Sequence, residues 1–237
     1  MNEMQRHARL AGWLYLLVGL SAPFGLVYVP GRLIVPGDAT ATADHIRASG
    51  TLLGFGIGSE LFHQTVFIFL VLALYRLLKS VDEPRARLMV ILGALVSVPV
   101  VFINVVSELG ALTLVDAPRY LSAFNKEQLD ALAYLFLRLH GQGLVVVGIF
   151  WGLWLFPFGA LVIRSGFIPR FLGFVLILAG VGNLVGSCTA ILFPAYRTLV
   201  DPFAMVLQWG ELPMLVWLLA FGARLKSPEG AVAPVGT

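Results

Sequence analysis

Three polar residues in the middle of the stretch 51–79 are the first that could carry chemistry. This stretch is apolar and long enough to cross a bilayer, yet it contains Glu60, His63 and Gln64. On a helix, residues three and four positions apart share one face, so all three side chains point the same way. An ionisable side chain at the centre of a membrane helix costs on the order of 2.5–3.5 kcal/mol on insertion scales. We therefore expect this face to meet other polar groups inside the protein.

Four further apolar stretches carry polar residues at a similar depth. These residues are Asn104 and Glu108 in the third stretch, Arg138, His140 and Gln142 at the start of the fourth, Asn183 in the fifth, and Gln208 and Glu211 in the sixth. The free-energy cost of these side chains would be much higher if they faced lipid than if they faced one another. The sequence therefore predicts one polar pocket inside the protein, built mainly on Glu60, Glu108, His140 and Glu211.

A metal site is one interpretation of this pocket. Glu60 and His63 have the Glu-x-x-His spacing of carboxylate-bridged metal sites in helical bundles. Glu108, His140 and Glu211 would complete a ligand set for a divalent metal ion, which would activate water or, as iron, bind oxygen. Three ionised glutamates in low dielectric need protons, a metal ion or a cationic ligand to neutralise them.

Two alternatives remain open for the same residues. Glu60, Arg138 and Glu211 would form a buried ion-pair network that fixes the helix register, in a structural or partner-binding protein. Carboxylates and histidines would also serve as relay groups in a proton- or ion-coupled small-molecule transporter. The absence of a recognisable inverted repeat argues against a transporter. No nucleophile–base pair or nucleotide-binding glycine loop stands out, so the sequence predicts no reaction type.

The composition requires lipid as the solvent for most of the surface. The 237 residues are 59% hydrophobic and 12% charged, whereas soluble domains have about 25% charged residues. The basic residues fall in short segments between apolar runs, which favours orientation in a membrane over nucleic-acid binding. Cys188 is the single cysteine, so neither an intrachain disulfide nor a cysteine-based zinc site is expected. The predicted partners are the lipid bilayer and a small polar or lipid-borne ligand.

Six apolar stretches predict an all-α, six-helix transmembrane bundle that forms one domain over residues 1–225. The predicted spans are 10–29, 52–77, 88–112, 138–163, 171–193 and 203–222, and a disordered cytoplasmic tail is predicted over 226–237. The fourth apolar stretch is longer than a roughly 30 Å hydrocarbon core requires, so we expect that helix to begin outside the core and to bend at Pro157. Asp38 or Thr40 is expected to cap a short helix between the first two spans.

The distribution of basic residues predicts the orientation. With the N-terminus inside, ten of the 16 Lys and Arg residues fall on the cytoplasmic side and six on the outer side. Cytoplasmic segments carry the excess of Lys and Arg, so both termini are predicted to be cytoplasmic. The polar pocket would then lie in the outer half of the bundle.

Four stretches form a recognisable pattern over nearly the whole chain: ARLAGWLYLL in the first span, LIVPGDATATADHI after it, ALYRLLK at the end of the second span, and RSGFIPRFLGFVLILAGVG between the fourth and fifth. Together they resemble an uncharacterised family of bacterial six-helix membrane proteins, the domain of unknown function 4386. The resemblance implies a multi-pass protein of the plasma (inner) membrane, and it implies no activity. The acidic and histidine positions of that family's pattern match Glu60, Glu108, His140 and Glu211. Because His63 and Arg138 have no such match, His140 replaces His63 as the principal histidine.

Overall fold

Helices make up nearly all of the computed structural model, which describes residues 3–223. They are α1 (Glu3–Leu33), α2 (Ala39–Ala48), α3 (Gly50–Leu78), α4 (Glu83–Asp116), α5 (Lys126–Ser165), α6 (Arg170–Leu192) and α7 (Pro194–Ala220). All of them except α2 are long and apolar enough to cross a membrane. The prediction of an all-α, six-helix membrane protein is confirmed. The predicted tail, 226–237, lies outside the described residues.

Several of the long helices change geometry along their length. A π-helical turn interrupts α1 at Phe24–Tyr28 and α4 at Ile91–Val96. Helix α7 begins well before residue 203 and contains the 3-10 turns Pro194–Tyr196 and Trp209–Glu211. A further 3-10 turn, Arg119–Leu121, lies between α4 and α5.

Helix α5 is interrupted about one turn before Pro157, the position at which a bend was predicted. The helix consists of Lys126–Leu153 and Leu155–Ser165, with Trp154 at the junction. Pro157 has no N–H group to donate to the carbonyl of Leu153, and its ring crowds that carbonyl. A proline therefore disturbs the turn that precedes it, and the break appears at Trp154 rather than at Pro157.

Short polar side chains set the beginnings of several helices. The carboxylate of Asp38 accepts a hydrogen bond from the backbone of Ala41 (2.8 Å), which confirms the expected cap of α2. At the start of α5, Asn125 and Gln128 form a capping box with hydrogen bonds of 2.8 and 3.0 Å. These bonds satisfy backbone N–H groups that have no partner within the helix.

The six long helices pack in a closed ring. Helix α1 packs between α3 and α7, α6 packs between α7 and α5, and α4 packs between α5 and α3. The close approach of α5 and α6 depends on glycine, because a Cβ atom on Gly152 would lie 2.8 Å from the carbonyl oxygen of Gly180. Small residues commonly allow such contacts between membrane helices.

Two apolar clusters fill the interior of the ring, and a layer of buried polar residues separates them along α3. Leu53 and Ile57 belong to the cluster at the α2 end of the bundle. From Val66 onward, the buried residues of α3 belong to the other cluster. Glu60, His63 and Gln64 are buried between the two clusters. The polar layer therefore lies in the interior of the bundle, with apolar side chains on both sides along α3.

Candidate metal centre

Glu60, Glu108 and His140 meet inside the ring. The Nε2 atom of His140 lies 3.4 Å from Oε2 of Glu60 and 3.8 Å from Oε1 of Glu108. One possible ligand atom from each residue lies within 4.8 Å of the other two. The three residues are 1%, 4% and 6% exposed, respectively. Helices α3, α4 and α5 thus each contribute one buried side chain to a compact cluster.

The helical period explains why these three side chains point inward. In each case an adjacent residue is an exposed leucine, namely Leu61, Leu109 and Leu139. Neighbouring residues on a helix point about 100° apart. Orienting the leucines toward lipid therefore turns the polar side chains toward the interior of the ring.

Asn104 holds the ring of His140 from the side opposite the carboxylates. Its Nδ2 atom donates to the backbone oxygen of His140 (2.9 Å) and lies 3.2 Å from Nδ1 of the ring. That same Nδ1 atom lies 3.4 Å from the backbone oxygen of Asn104. In the tautomer that carries its proton on Nδ1, the ring donates to this backbone oxygen. The lone pair of Nε2 is then directed at the two glutamates.

Gly143 makes room for this arrangement. A Cβ atom at this position would collide with the carboxamide of Asn104. The glycine therefore allows α4 and α5 to approach closely enough for Asn104 to reach the backbone and ring of His140. Sequence reasoning did not identify Gly143, because its role depends entirely on a neighbouring helix.

The charges in the cluster are not balanced by basic side chains. Among the described residues, no Lys or Arg forms an ion pair with Glu60 or Glu108, and His140 is their one ion-pair candidate. Glu60 Oε1 and Glu108 Oε2 are buried without a hydrogen-bond partner. An uncompensated carboxylate in a low-dielectric interior is strongly unfavourable. The centre therefore needs protons or an additional cation.

Glu211 lies in a different place from these three residues. It accepts a hydrogen bond from the hydroxyl group of Tyr15. Together with His63, Asn183 and Gln208 it lines a cavity between α1, α3, α5, α6 and α7 that none of the three cluster residues lines. The structure thus divides the residues of the predicted single pocket between two sites. Tyr15 was not predicted as a site residue, because a tyrosine within an apolar span also suits the membrane interface.

Arg138 and Gln142 are exposed on α5 and are not brought together with the cluster. Each is two positions from His140, which corresponds to roughly 200° around a helix. When the histidine points inward, these neighbours must point outward. The structure therefore does not join Arg138 to Glu60 or Glu211 in a buried ion-pair network.

A separate buried ion pair attaches α2 to α5. The carboxylate of Asp130 is fully buried and forms an ion pair with Arg47 of α2. It also pairs with Lys126, whose Nζ atom lies 2.9 Å from Oδ2 of Asp130. Arg47 also pairs with Asp44 at 2.7 Å, and this hydrogen bond lowers the pKa of the Asp44 carboxyl. Arg47 and Asp130 lie 83 positions apart along the chain, so no local pattern reveals their pairing, whereas Lys126 lies only four positions before Asp130 on the same helix.

Comparison with known proteins gives one match. A family model described as a domain of unknown function (DUF4386) matches residues 10–222. No curated protein and no solved structure matches the chain. The matched range includes all three residues of the buried cluster and the residues that line the cavity around Glu211.

Proposed function

Because the chain belongs to the DUF4386 family, whose description gives no activity, we propose a function from the geometry of the buried cluster. The protein is a membrane metalloprotein that binds one divalent transition-metal ion between Glu60, Glu108 and His140. The membrane is the bacterial plasma membrane, in keeping with the family resemblance.

The spacing of the three side chains is the observation that carries this proposal. Ligand atoms at about 2.1 Å from a tetrahedral metal ion lie roughly 3.4 Å from one another. The distances from His140 Nε2 to the two carboxylates, 3.4 and 3.8 Å, are close to this separation. Direct charge-assisted hydrogen bonds would be about 2.7–2.9 Å long. The two distances from His140 thus support a common ion more than direct hydrogen bonds.

Charge and ligand type favour the same conclusion. Two carboxylates and a neutral imidazole together carry the two negative charges that balance a divalent cation. Oxygen and nitrogen ligands without a thiolate suit Zn²⁺, Mn²⁺ or Fe²⁺ better than Cu(I). Asn104 would act as the group that orients the histidine ligand, as outer-shell partners of metal-bound histidines commonly do.

A bound ion at this site would be able to act as a Lewis acid. Catalytic zinc sites typically use three protein ligands and keep one position for water or substrate. A metal in such a position polarises an oxygen-containing group or lowers the pKa of its bound water. We propose that the substrate is a small polar or lipid-borne molecule, since the site lies between membrane-spanning helices.

Metal analysis of the purified full-length protein in detergent tests the proposal. We expect about one bound Zn²⁺, Mn²⁺ or Fe²⁺ per chain, and loss of this metal in Glu60→Gln, Glu108→Gln and His140→Gln. Glu211→Gln is the matched control, because it also replaces a glutamate within a spanning helix but leaves the proposed ligands intact. It should retain the metal.

Two results would contradict a metal function. The first is stoichiometric metal that remains bound in the Glu60→Gln/Glu108→Gln double variant. The second is a wild-type protein that contains no stoichiometric metal and whose melting temperature does not rise when Zn²⁺, Mn²⁺ or Fe²⁺ is added. The second result would favour a metal-free hydrogen-bonded network.

A further inference from the structure

The cavity around Glu211 is a second candidate site, separate from the metal centre. It has a volume of about 220 Å³ and lies between α1, α3, α5, α6 and α7. Its polar lining comes from His63, Asn183, Gln208 and Glu211. A cavity of about 150 Å³ is large enough to hold a benzene-sized molecule. The space around Glu211 is therefore sufficient for a small organic ligand.

The polar groups of this cavity include several that can accept hydrogen bonds. Glu211 receives the hydroxyl hydrogen of Tyr15, and no described Lys or Arg forms an ion pair with it. His63 is 7% exposed, and its Nδ1 atom has no hydrogen-bond partner. Asn183 donates its amide to the backbone oxygen of Ala179, which leaves its own side-chain oxygen free to accept. A ligand that donates hydrogen bonds and carries positive charge would complement this set.

Aromatic rings form much of the remaining wall. Tyr15, Phe67, Trp151 and Trp154 all line the cavity. The faces of aromatic rings attract cations, and tryptophan does so most strongly. A carboxylate without a basic partner, set among aromatic rings, is the combination expected for recognition of an organic ammonium group.

A larger cavity adjoins this one. It has a volume of about 310 Å³ and shares Trp151, Asn183 and Gln208 with the cavity around Glu211. Arg197 and Asp201 line its other part. The Nε atom of Arg197 lies 3.4 Å from Oδ2 of Asp201. Because the charges of this pair cancel, the adjoining cavity presents no net charge that would repel a cation on its way to Glu211.

We propose that the cavity around Glu211 binds a small organic cation with an ammonium group and an apolar body. The ammonium group pairs with Glu211 and donates to the side-chain oxygens of Asn183 and Gln208. The apolar body packs against Trp151 and Phe67. None of the proposed metal ligands lines this cavity, so the site is independent of the metal centre.

Calorimetric titration of the full-length protein in detergent with benzylamine tests the charge requirement. At neutral pH benzylamine carries an ammonium group on a benzene-sized body, and benzyl alcohol has the same shape without the charge. We expect benzylamine to bind at least tenfold more tightly than benzyl alcohol, which corresponds to about 1.4 kcal/mol. Equal affinity of the two probes would overturn the proposal.

Variants then locate the bound probe. Glu211→Gln and Trp151→Leu should each weaken benzylamine binding by about tenfold or more, whereas the matched exposed control Glu127→Gln should not. Trp151→Phe keeps an aromatic face and should bind nearly as well as the wild type, which separates the loss of the ring from a general packing defect. Unchanged affinity in a folded Glu211→Gln protein would overturn the proposal.

An amine is also able to bind a metal ion directly, and Glu60→Gln distinguishes this case. We expect Glu60→Gln to bind benzylamine as the wild type does. Loss of binding in Glu60→Gln together with unchanged binding in Glu211→Gln would place the amine at the metal centre and overturn the second site. It would leave the proposed metal function intact.

Discussion

At the scale of single residues, His140 is the side chain on which the candidate metal centre depends most. One edge of its ring faces Glu60 and Glu108, and the other edge contacts Asn104. The contact with Asn104 therefore controls which ring nitrogen is available to the carboxylates and to a metal ion. This dependence leads to two predictions about residues that touch no metal themselves.

Replacing Asn104 with leucine should weaken metal binding without removing a ligand. The substitution removes the side-chain hydrogen bond to the backbone of His140 and the amide that lies against its ring. Loss of such an outer partner typically weakens metal binding by about 10–100-fold. Competition with a chelator measures the affinity. Ser107→Ala on the same helix is the control, and equal affinities of Asn104→Leu and the wild type would contradict the assigned role.

A methyl group at Gly143 should have a similar effect from the facing helix. In Gly143→Ala the new Cβ displaces the carboxamide of Asn104, so metal affinity should fall about as far as it does in Asn104→Leu. Gly141→Ala is a matched control two positions away, because nothing lies within 4 Å of a Cβ atom there. We expect Gly141→Ala to retain the wild-type metal affinity. If Gly143→Ala and Gly141→Ala have the same metal affinity, crowding of Asn104 does not explain the effect of either substitution.

At the scale of elements, α2 is held on the bundle by charge as well as by apolar contacts. Its residues Ala43 and Ile46 belong to the apolar cluster at that end. Its Arg47 reaches the buried carboxylate of Asp130 on α5. Lys126 reaches the same carboxylate, but its own side chain is 53% exposed. The side chain of Arg47, at 30% exposed, is therefore the more buried of the two cationic partners.

Removing the arginine should loosen α2 and destabilise the protein. Arg47→Met leaves Asp130 buried with Lys126 as its remaining basic partner. Hydrogen bonds to charged groups contribute about 1.5–3 kcal/mol, and we expect a loss of free energy of unfolding in this range. Chemical unfolding in detergent measures it. Arg119→Met, at an exposed position, should change stability little, and a comparable loss there would argue against a specific role for the Arg47–Asp130 pair.

At the scale of the whole molecule, six helices long enough to span a membrane bring both termini to the same side if each one crosses. The excess of Lys and Arg then predicts that this side is the cytoplasm. The α2 end of the bundle would face outward. The candidate metal centre and the Glu211 cavity would both lie within the bilayer.

Labelling of introduced cysteines checks this orientation. In a Cys188→Ala background, His45→Cys on α2 should react with a membrane-impermeant maleimide in intact cells. Ser80→Cys, between α3 and α4, should react only after the cells are permeabilised. The reverse pattern would show that the prediction from charge is wrong.

The membrane class and the number of spanning helices could be predicted from the sequence alone. Both depend on local sums of hydrophobicity over about 20 residues, and these sums do not require knowledge of the neighbouring helices. The cap at Asp38 could be predicted for the same reason, since its partner lies three residues away. The burial of Glu60, Glu108 and His140 could also be expected from the sequence, because ionisable residues in apolar spans are costly and must face polar surroundings.

Only the tertiary structure decided how these residues group. Glu60 and His63 share one face of α3, but three positions leave them roughly 60° apart around the helix. In a closed ring, that angle is enough to turn Glu60 toward α4 and α5 and His63 toward the Glu211 cavity. The sequence specifies the angle between two side chains on one helix. The packing of the neighbouring helices determines which partner each side chain meets.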